Sequence, residues 1–124
     1  MLYRRLGRTE LQVSELSFGA ARGYDRDEFP ALVEALIAAG VNLIDTATGY
    51  GDSELALGRA LAGHDDILIE TKYCPYDSYR PDATYVGTPD ALMASAEESL
   101  RRLGRDHLDI LLGHGMRSIE TLER

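Results

Sequence analysis

Residues 41–72 read VNLIDTATGYGDSELALGRALAGHDDILIETK. An apolar run, VNLID (41–45), gives way to a glycine-containing loop, TATGYGD (46–52). A segment with helical apolar spacing, SELALGRALAG (53–63), then leads to a second apolar run, ILIET (67–71). Two short, nearly continuous apolar strands flanking one helix predict a βαβ unit in a parallel sheet.

The same alternation continues outward on both sides. Upstream, ELSFGAA (15–21) predicts a short strand and DRDEFPALVEALIAAG (25–40) a helix. Asp27 is expected to cap that helix and Pro30 to sit in its first turn. Leu32, Val33, Leu36 and Ile37 would form its apolar stripe, and Gly40 would end it. Before these, LYRRLGRTELQV (2–13) predicts a β-hairpin around Gly7-Arg8. Downstream, the polar and aromatic stretch YCPYDSYRPDATYVG (73–87) predicts a long loop, with Thr88 and Pro89 opening the helix DALMASAEESLRRL (90–103). Leu92, Ala96, Leu100 and Leu103 would share one face of it. Glu97–Arg101 and Glu98–Arg102 are spaced to pair on a solvated face, and Gly104 would end the helix. HLDILLGH (107–114) predicts the next strand, and SIETLER (118–124) the first turns of a further helix.

Strand and helix alternate with no hairpin between the later strands, so the sheet is expected to be parallel. No G-x-G-x-x-G follows the first strand, which disfavours a doubly wound dinucleotide fold. The remaining common solution is a (β/α)8 barrel of the TIM type, which typically needs about 250 residues. The 124 residues would supply an N-terminal hairpin (1–14) and about four βα units (15–124), a half-barrel fragment read as one domain. Such a piece leaves two raw sheet edges, through which self-association is possible.

Composition narrows the function classes. Thirteen basic residues stand against twenty-one acidic ones, a formal charge of −8, with no basic stripe. Nucleic acid and anionic membrane are therefore not expected partners. The lone Cys74 allows no internal disulfide, and no Cys/His spacing fits a metal. With no signal-peptide pattern and no spanning apolar run, a cytoplasmic location is expected.

Barrel chemistry sits at the C-terminal ends of the strands. Those ends offer Asp45 with Tyr50 in the loop behind it, then Lys72, then His114. Lys72 is the only lysine in a chain whose other basic residues are all arginine. An unpaired ammonium at an apolar rim would shed its proton, so Asp45 is its natural counter-ion. A phenol near pKa ~10 is a poor proton donor at neutral pH. A neighbouring ammonium would stabilise the phenolate left behind and make Tyr50 a competent general acid. Lysine suits that place as a compact charge where arginine's planar fork would fill the space. His114 could orient a carbonyl oxygen. Each residue also has an ordinary reading: Asp45 as a turn cap, Tyr50 as a turn tyrosine, His114 as a loop residue between glycines. His64 and His107 read as solvated, Cys74 as a bystander thiol, and Tyr73, Tyr76, Tyr79 and Tyr85 either as a substrate wall or as surface aromatics.

These residues also carry a family likeness. LYRRLGRTELQVSELSFG, AGVNLIDTATGYGDSELALGRAL, ILIETK and SLRRLGRDHLDILLGH, in this order, resemble the aldo-keto reductases. The most specific piece is Asp-Thr-Ala-x-x-Tyr-Gly, Asp45 to Gly51, followed by strands ending in Thr-Lys and in His. The resemblance implies a barrel enzyme using NADP(H) to reduce aldehydes and ketones or oxidise alcohols, with a small carbonyl or alcohol as partner. It implies a catalytic tetrad of Asp45, Tyr50, Lys72 and His114, and cofactor contacts from Asp45, Gly19 and Ala20. It also implies that most of the cofactor grip comes from later strands, and it leaves open a non-catalytic regulatory or cofactor-sensing subunit on the same fold. Glu10 departs from the pattern, standing where the family's hairpin often has glycine. Short-chain dehydrogenases are excluded, because their Tyr and Lys stand four apart on one helix.

Overall fold

The computed structural model describes residues 1–76 and 84–116. An antiparallel hairpin, β1 (Tyr3–Arg5) and β2 (Gln12–Ser14), precedes a sheet of four parallel strands. These are β3 (Phe18–Gly19), β4 (Leu43–Asp45), β5 (Leu68–Tyr73) and β6 (Ile110–Gly113), adjacent in chain order. Between successive strands run α1 (Phe29–Ala38), α2 (Ser53–Ala60) and α3 (Pro89–Leu103). Strand order never reverses. Crossovers of one hand then place every helix on the same side, the geometry of a barrel wall.

The sheet faces follow from the two-residue period of a strand. Ile44, Ile69 and Thr71 are fully buried beneath the helices and join Val33, Leu57 and Leu103 in the main core. The alternate positions, Asp45, Leu68, Glu70 and Lys72, lie on the other, inner face and are only half-buried. Asp45 is in register with Glu70, and Lys72 with Leu112, so the charges occupy two neighbouring rows of the inner face at the strand ends.

Several local expectations need correction. The helix α1 begins one residue later than an Asp27 cap requires: Glu28 is its N-cap, without a side-chain cap bond. The Phe29 amide already donates to the Arg26 carbonyl at 3.1 Å, which removes the need for a capping carboxylate. The buried stripe runs through Phe29 and Val33, while Leu32 is 44% exposed. On α3, Thr88 caps as expected, accepting from Ala91 N at 3.1 Å, and Gly104 ends the helix in the left-handed conformation at φ 67°. The charge pairing differs. Glu98 binds Arg101, three residues on, because Arg102 turns inward. Within α3, Ser99 and Leu103 are the buried residues, and Leu92 is 36% exposed. Glu10 causes no strain, since no non-glycine among the described residues has positive φ. Tyr79 and the helix expected over 118–124 lie outside the described residues.

Candidate active site at the C-terminal edge of the sheet

The C-terminal edge of β4 ends in Asp45, and the chain then loops across β5. Thr46 N donates to the Glu70 carbonyl at 2.8 Å. Thr48 binds the Lys72 carbonyl through both its amide, at 3.3 Å, and its hydroxyl, at 3.0 Å. The loop then closes in a turn, Tyr50 N donating to Ala47 O at 3.0 Å and Ser53 N to Tyr50 O at 3.2 Å. Buried Thr46 and Ser53 share a hydroxyl contact of 2.8 Å, and Ser53 Oγ donates to Ala20 O at 2.7 Å. This loop is therefore fixed by directional bonds to β3 and β5, and it carries Tyr50 back over the sheet edge.

Lys72 Nζ pairs with Asp45 Oδ1 and donates to the Thr46 carbonyl at 2.8 Å. Its side chain is only 13% exposed, so the ammonium points inward, not into water. It lies 5.0 Å from the centroid of the Tyr50 ring, within cation–π range. His114, fixed by its amide to the Tyr73 carbonyl at 2.8 Å, meets the same ring edge-on, with centroids 5.5 Å apart and planes at 88°. Four side chains from three strand ends thus converge. Burial is the main cause that pushes the His114 imidazole below its ordinary 6.5, and the Lys72 charge adds to it. A neutral imidazole offers one donor and one acceptor to a ligand.

Gly19 and Ala20 sit differently from each other. Gly19 is exposed at the rim, and a Cβ there would just touch Asp45 Oδ2, at 4.0 Å, so the two residues adjoin at the strand ends. Ala20 is fully buried on the helix side, its amide donating to Asp45 O at 2.8 Å and its carbonyl accepting from Ser53. Tyr73 and Tyr85 line a groove of about 340 Å³ with Pro75, Leu92, Leu112 and Met116. Asp45, Tyr50, Lys72 and His114 are not among its lining residues. Tyr76 and Tyr85 stack edge-to-face at 5.7 Å. His64 binds Glu34 at 3.0 Å, and His107 lies exposed beside Asp106 and Asp109.

One member of the inner-face cluster escaped the sequence reading. Glu70 stands beside its register partner Asp45. Burial first, then Asp45, pushes its carboxyl above the ordinary 4.5, while Lys72 pulls it back. ILIET (67–71), followed by Lys72, reads as a nearly continuous apolar run. Its Leu68–Glu70–Lys72 alternation was the available signal that one face is polar. No group of three or more metal-ligating side chains occurs among the described residues, and no described helix is long and apolar enough to cross a membrane.

Comparison with known proteins bears on the family and the fold. The family model described as the Aldo/keto reductase family matches residues 15–123. A 6-dehydroglucose reductase of Novosphingobium aromaticivorans is 30% identical over 120 residues, covering 87% of this chain and 40% of that protein. A protein of Oryza sativa subsp. japonica, named a probable voltage-gated potassium channel subunit beta, is 32% identical over 124 residues, covering 92% and 37% respectively. Among solved structures, a putative aldo-keto reductase from Pseudomonas aeruginosa superposes with a TM-score of 0.85 at 30% identity, over 99% of this chain and 51% of its own. The chain therefore spans about half or less of the length of these relatives.

Proposed function

This chain belongs to the aldo/keto reductase family and forms part of a (β/α)8 barrel, and from that premise we propose that it carries the acid–base half of a carbonyl reductase. The substrate class is a small aldehyde or ketone, or the corresponding alcohol in reverse, and the cofactor is NADP(H), which supplies or accepts the hydride. Tyr50 is the proton donor to the carbonyl oxygen. Lys72 is placed over its ring and supplies a positive charge close to the phenolate left after transfer. Asp45 and the Thr46 carbonyl hold that ammonium in place. His114, at the edge of the same ring, orients the substrate oxygen. Gly19, exposed at the rim and without a side chain to obstruct approach, and Asp45 would contact the cofactor, with Ala20 buttressing the strand behind it.

The observation that carries this reading is the ammonium lodged between the Asp45 carboxylate and the Tyr50 ring. The test is carbonyl-dependent NADPH oxidation, with NADH compared, by this chain joined to the C-terminal half-barrel of the Pseudomonas aeruginosa relative. Tyr50→Phe should lower kcat by about 10²–10⁴-fold, the usual contribution of a general acid, with KM changing far less. Turnover that survives Tyr50→Phe unchanged would sink the assignment.

The rice relative named as a channel subunit gives one observation in favour of a second reading, a cofactor-sensing subunit that binds NADP(H) without turnover. In that case Tyr50→Phe would leave NADPH binding intact in a protein with no measurable reductase activity to lose.

A further inference from the structure

On the helix side of the sheet, behind the Tyr50–Lys72 contact, lies a second pair of opposite charges. Glu54, in the first turn of α2, is fully buried. Its Oε1 accepts a 2.7 Å bond from the hydroxyl of Thr71, itself fully buried. Its Oε2 faces Arg102 Nε at 3.1 Å. Arg102 reaches in from the last turn of α3, donates to the Gly51 carbonyl and lies 3.6 Å from Asp52. Thr71 directly precedes Lys72, and Gly51 directly follows Tyr50. One buried ion pair is therefore bonded to the neighbours of both groups that meet at the rim.

Stability alone gives little reason for it. A buried ion pair often does no better than apolar side chains of the same volume. Here Glu54 Oε2 and Arg102 Nε, though in ionic contact, lack an aligned hydrogen bond. The two helices already meet closely without the charges: a Cβ on Gly58 would stand 2.6 Å from the Arg102 carbonyl oxygen, and Leu57 and Leu103 are buried in the core beside it. Apolar contacts, however, do not set the register of a loop against a strand; directional bonds do, and those of Thr46 and Thr48 to β5 all lie before Tyr50, whereas Arg102 holds Gly51, after it. A guanidinium can hold a carboxylate and a carbonyl at once through different edges of its planar fork, which an ammonium on a flexible stem does less well.

We infer that Glu54 and Arg102 are positioning residues, a clamp that sets the Tyr50 loop against the strand carrying Lys72. The catalytic consequence rests on the role proposed for Tyr50; the geometric claim does not. Neither residue touches the reacting groups. Removing the clamp is expected to loosen the Tyr50–Lys72 and Tyr50–His114 contacts while the sheet and core persist.

The test is NMR on the 124-residue chain. Lys72 Nζ lies over the Tyr50 ring, so the ring current displaces the Lys72 ε-methylene protons, and Tyr50→Leu defines the undisplaced position. Two variants probe the clamp: Arg102→Lys, and the double exchange Glu54→Leu with Arg102→Met. Both are expected to keep dispersed amide spectra, with the Lys72 resonance moved to its Tyr50→Leu position and the Tyr50–His114 cross-peaks lost. Thr88→Ala, which weakens α3 at its other end, should lower stability and leave the Lys72 resonance unmoved. A folded Arg102→Lys protein that retains the wild-type displacement and cross-peaks overturns the inference. Should the double variant not fold, Arg102→Lys, which keeps the charge, decides alone. Loss of the contacts together with turnover indifferent to Tyr50 would uphold the clamp and refute the reductase reading; the opposite pattern would do the reverse.

Discussion

Lys72 is held by one charged acceptor and one neutral one, and the two predict different losses. Lys72→Met removes the ammonium and leaves Asp45 beside Glu70 with no cation. Losing a charged hydrogen bond costs about 1.5–3 kcal/mol. The upper range for fully buried pairs is not expected, because Asp45 is 27% exposed. Urea titration of wild type and variant measures this, and Asp45→Asn, which keeps an acceptor for the ammonium, should lose less. The same cluster gives stability a two-signed pH dependence. Glu70 binds its proton more tightly folded than unfolded, so its contribution falls as pH rises from 4.5 through its raised folded value. His114 binds its proton less tightly when folded, so its contribution rises with pH up to 6.5. In Glu70→Gln only the rising limb should remain, and in His114→Gln only the falling one; thermal melts across that range decide it. At this scale the sequence disclosed Asp45, Tyr50, Lys72 and His114, because strand ends and a solitary lysine can be read in one dimension. It hid Glu70 and Arg102. Their meaning depends on a partner one strand or one helix away; local spacing gave Arg102 a solvent-facing partner on its own helix and placed Glu70 within an apolar run.

Elements were legible where a local rule had no tertiary competitor. Thr88 caps α3 because an extended residue before proline has its hydroxyl aimed at the first free amides. Thr88→Ala should therefore lower stability by about 1 kcal/mol in denaturant. Asp27 met a competitor: the Arg26 turn had already satisfied the amide it would have capped. The 97–102 segment of α3 met another, since an arginine predicted to pair along the helix found a buried carboxylate across it. Gly58 shows the same override in the opposite direction. In an exposed helix, Gly→Ala gains about 1 kcal/mol. Here the new Cβ would stand 2.6 Å from the Arg102 carbonyl and 2.8 Å from that of Leu103, both backbone atoms that cannot swing aside. Overpacking of that kind costs about 1–3 kcal/mol. Gly58→Ala is thus expected to destabilise despite its propensity, visible as a lower urea midpoint, and a rise in the midpoint would mean that α2 and α3 can slide apart freely.

Across the whole molecule, one side of the sheet is finished and the other is not. The helices bury Ile44, Ile69 and Thr71 completely, whereas on the inner face Leu112 is 39% exposed and the Asp45 side chain 27% exposed. The strand order runs β3-β4-β5-β6, with β3 and β6 as its edges. Parallel sheets are stable when both faces are covered, and the solved relative is about twice as long as this chain. Length and alternation predicted a half-barrel with two raw edges; which face would be left open depended on the hand of the crossovers, a property of chirality and not of composition. A consequence follows for β6. Its backbone groups facing away from β5 have no partner strand among the described residues, so their amides should exchange with solvent rapidly in the isolated chain. When the chain is joined to the C-terminal half-barrel of the Pseudomonas aeruginosa relative, a fifth strand along Ile110–Gly113 would protect those amides, dry the inner face and strengthen the attraction between Lys72 and Asp45. Hydrogen exchange read at Leu111 and Leu112, with and without that half, distinguishes the possibilities. Protection that appears only in the joined barrel means the edge is completed by further strands. Protection already present in the chain alone, and growing with its concentration, means that two copies pair along the raw edge; no protection in either state would remove the barrel closure on which the dry active site depends.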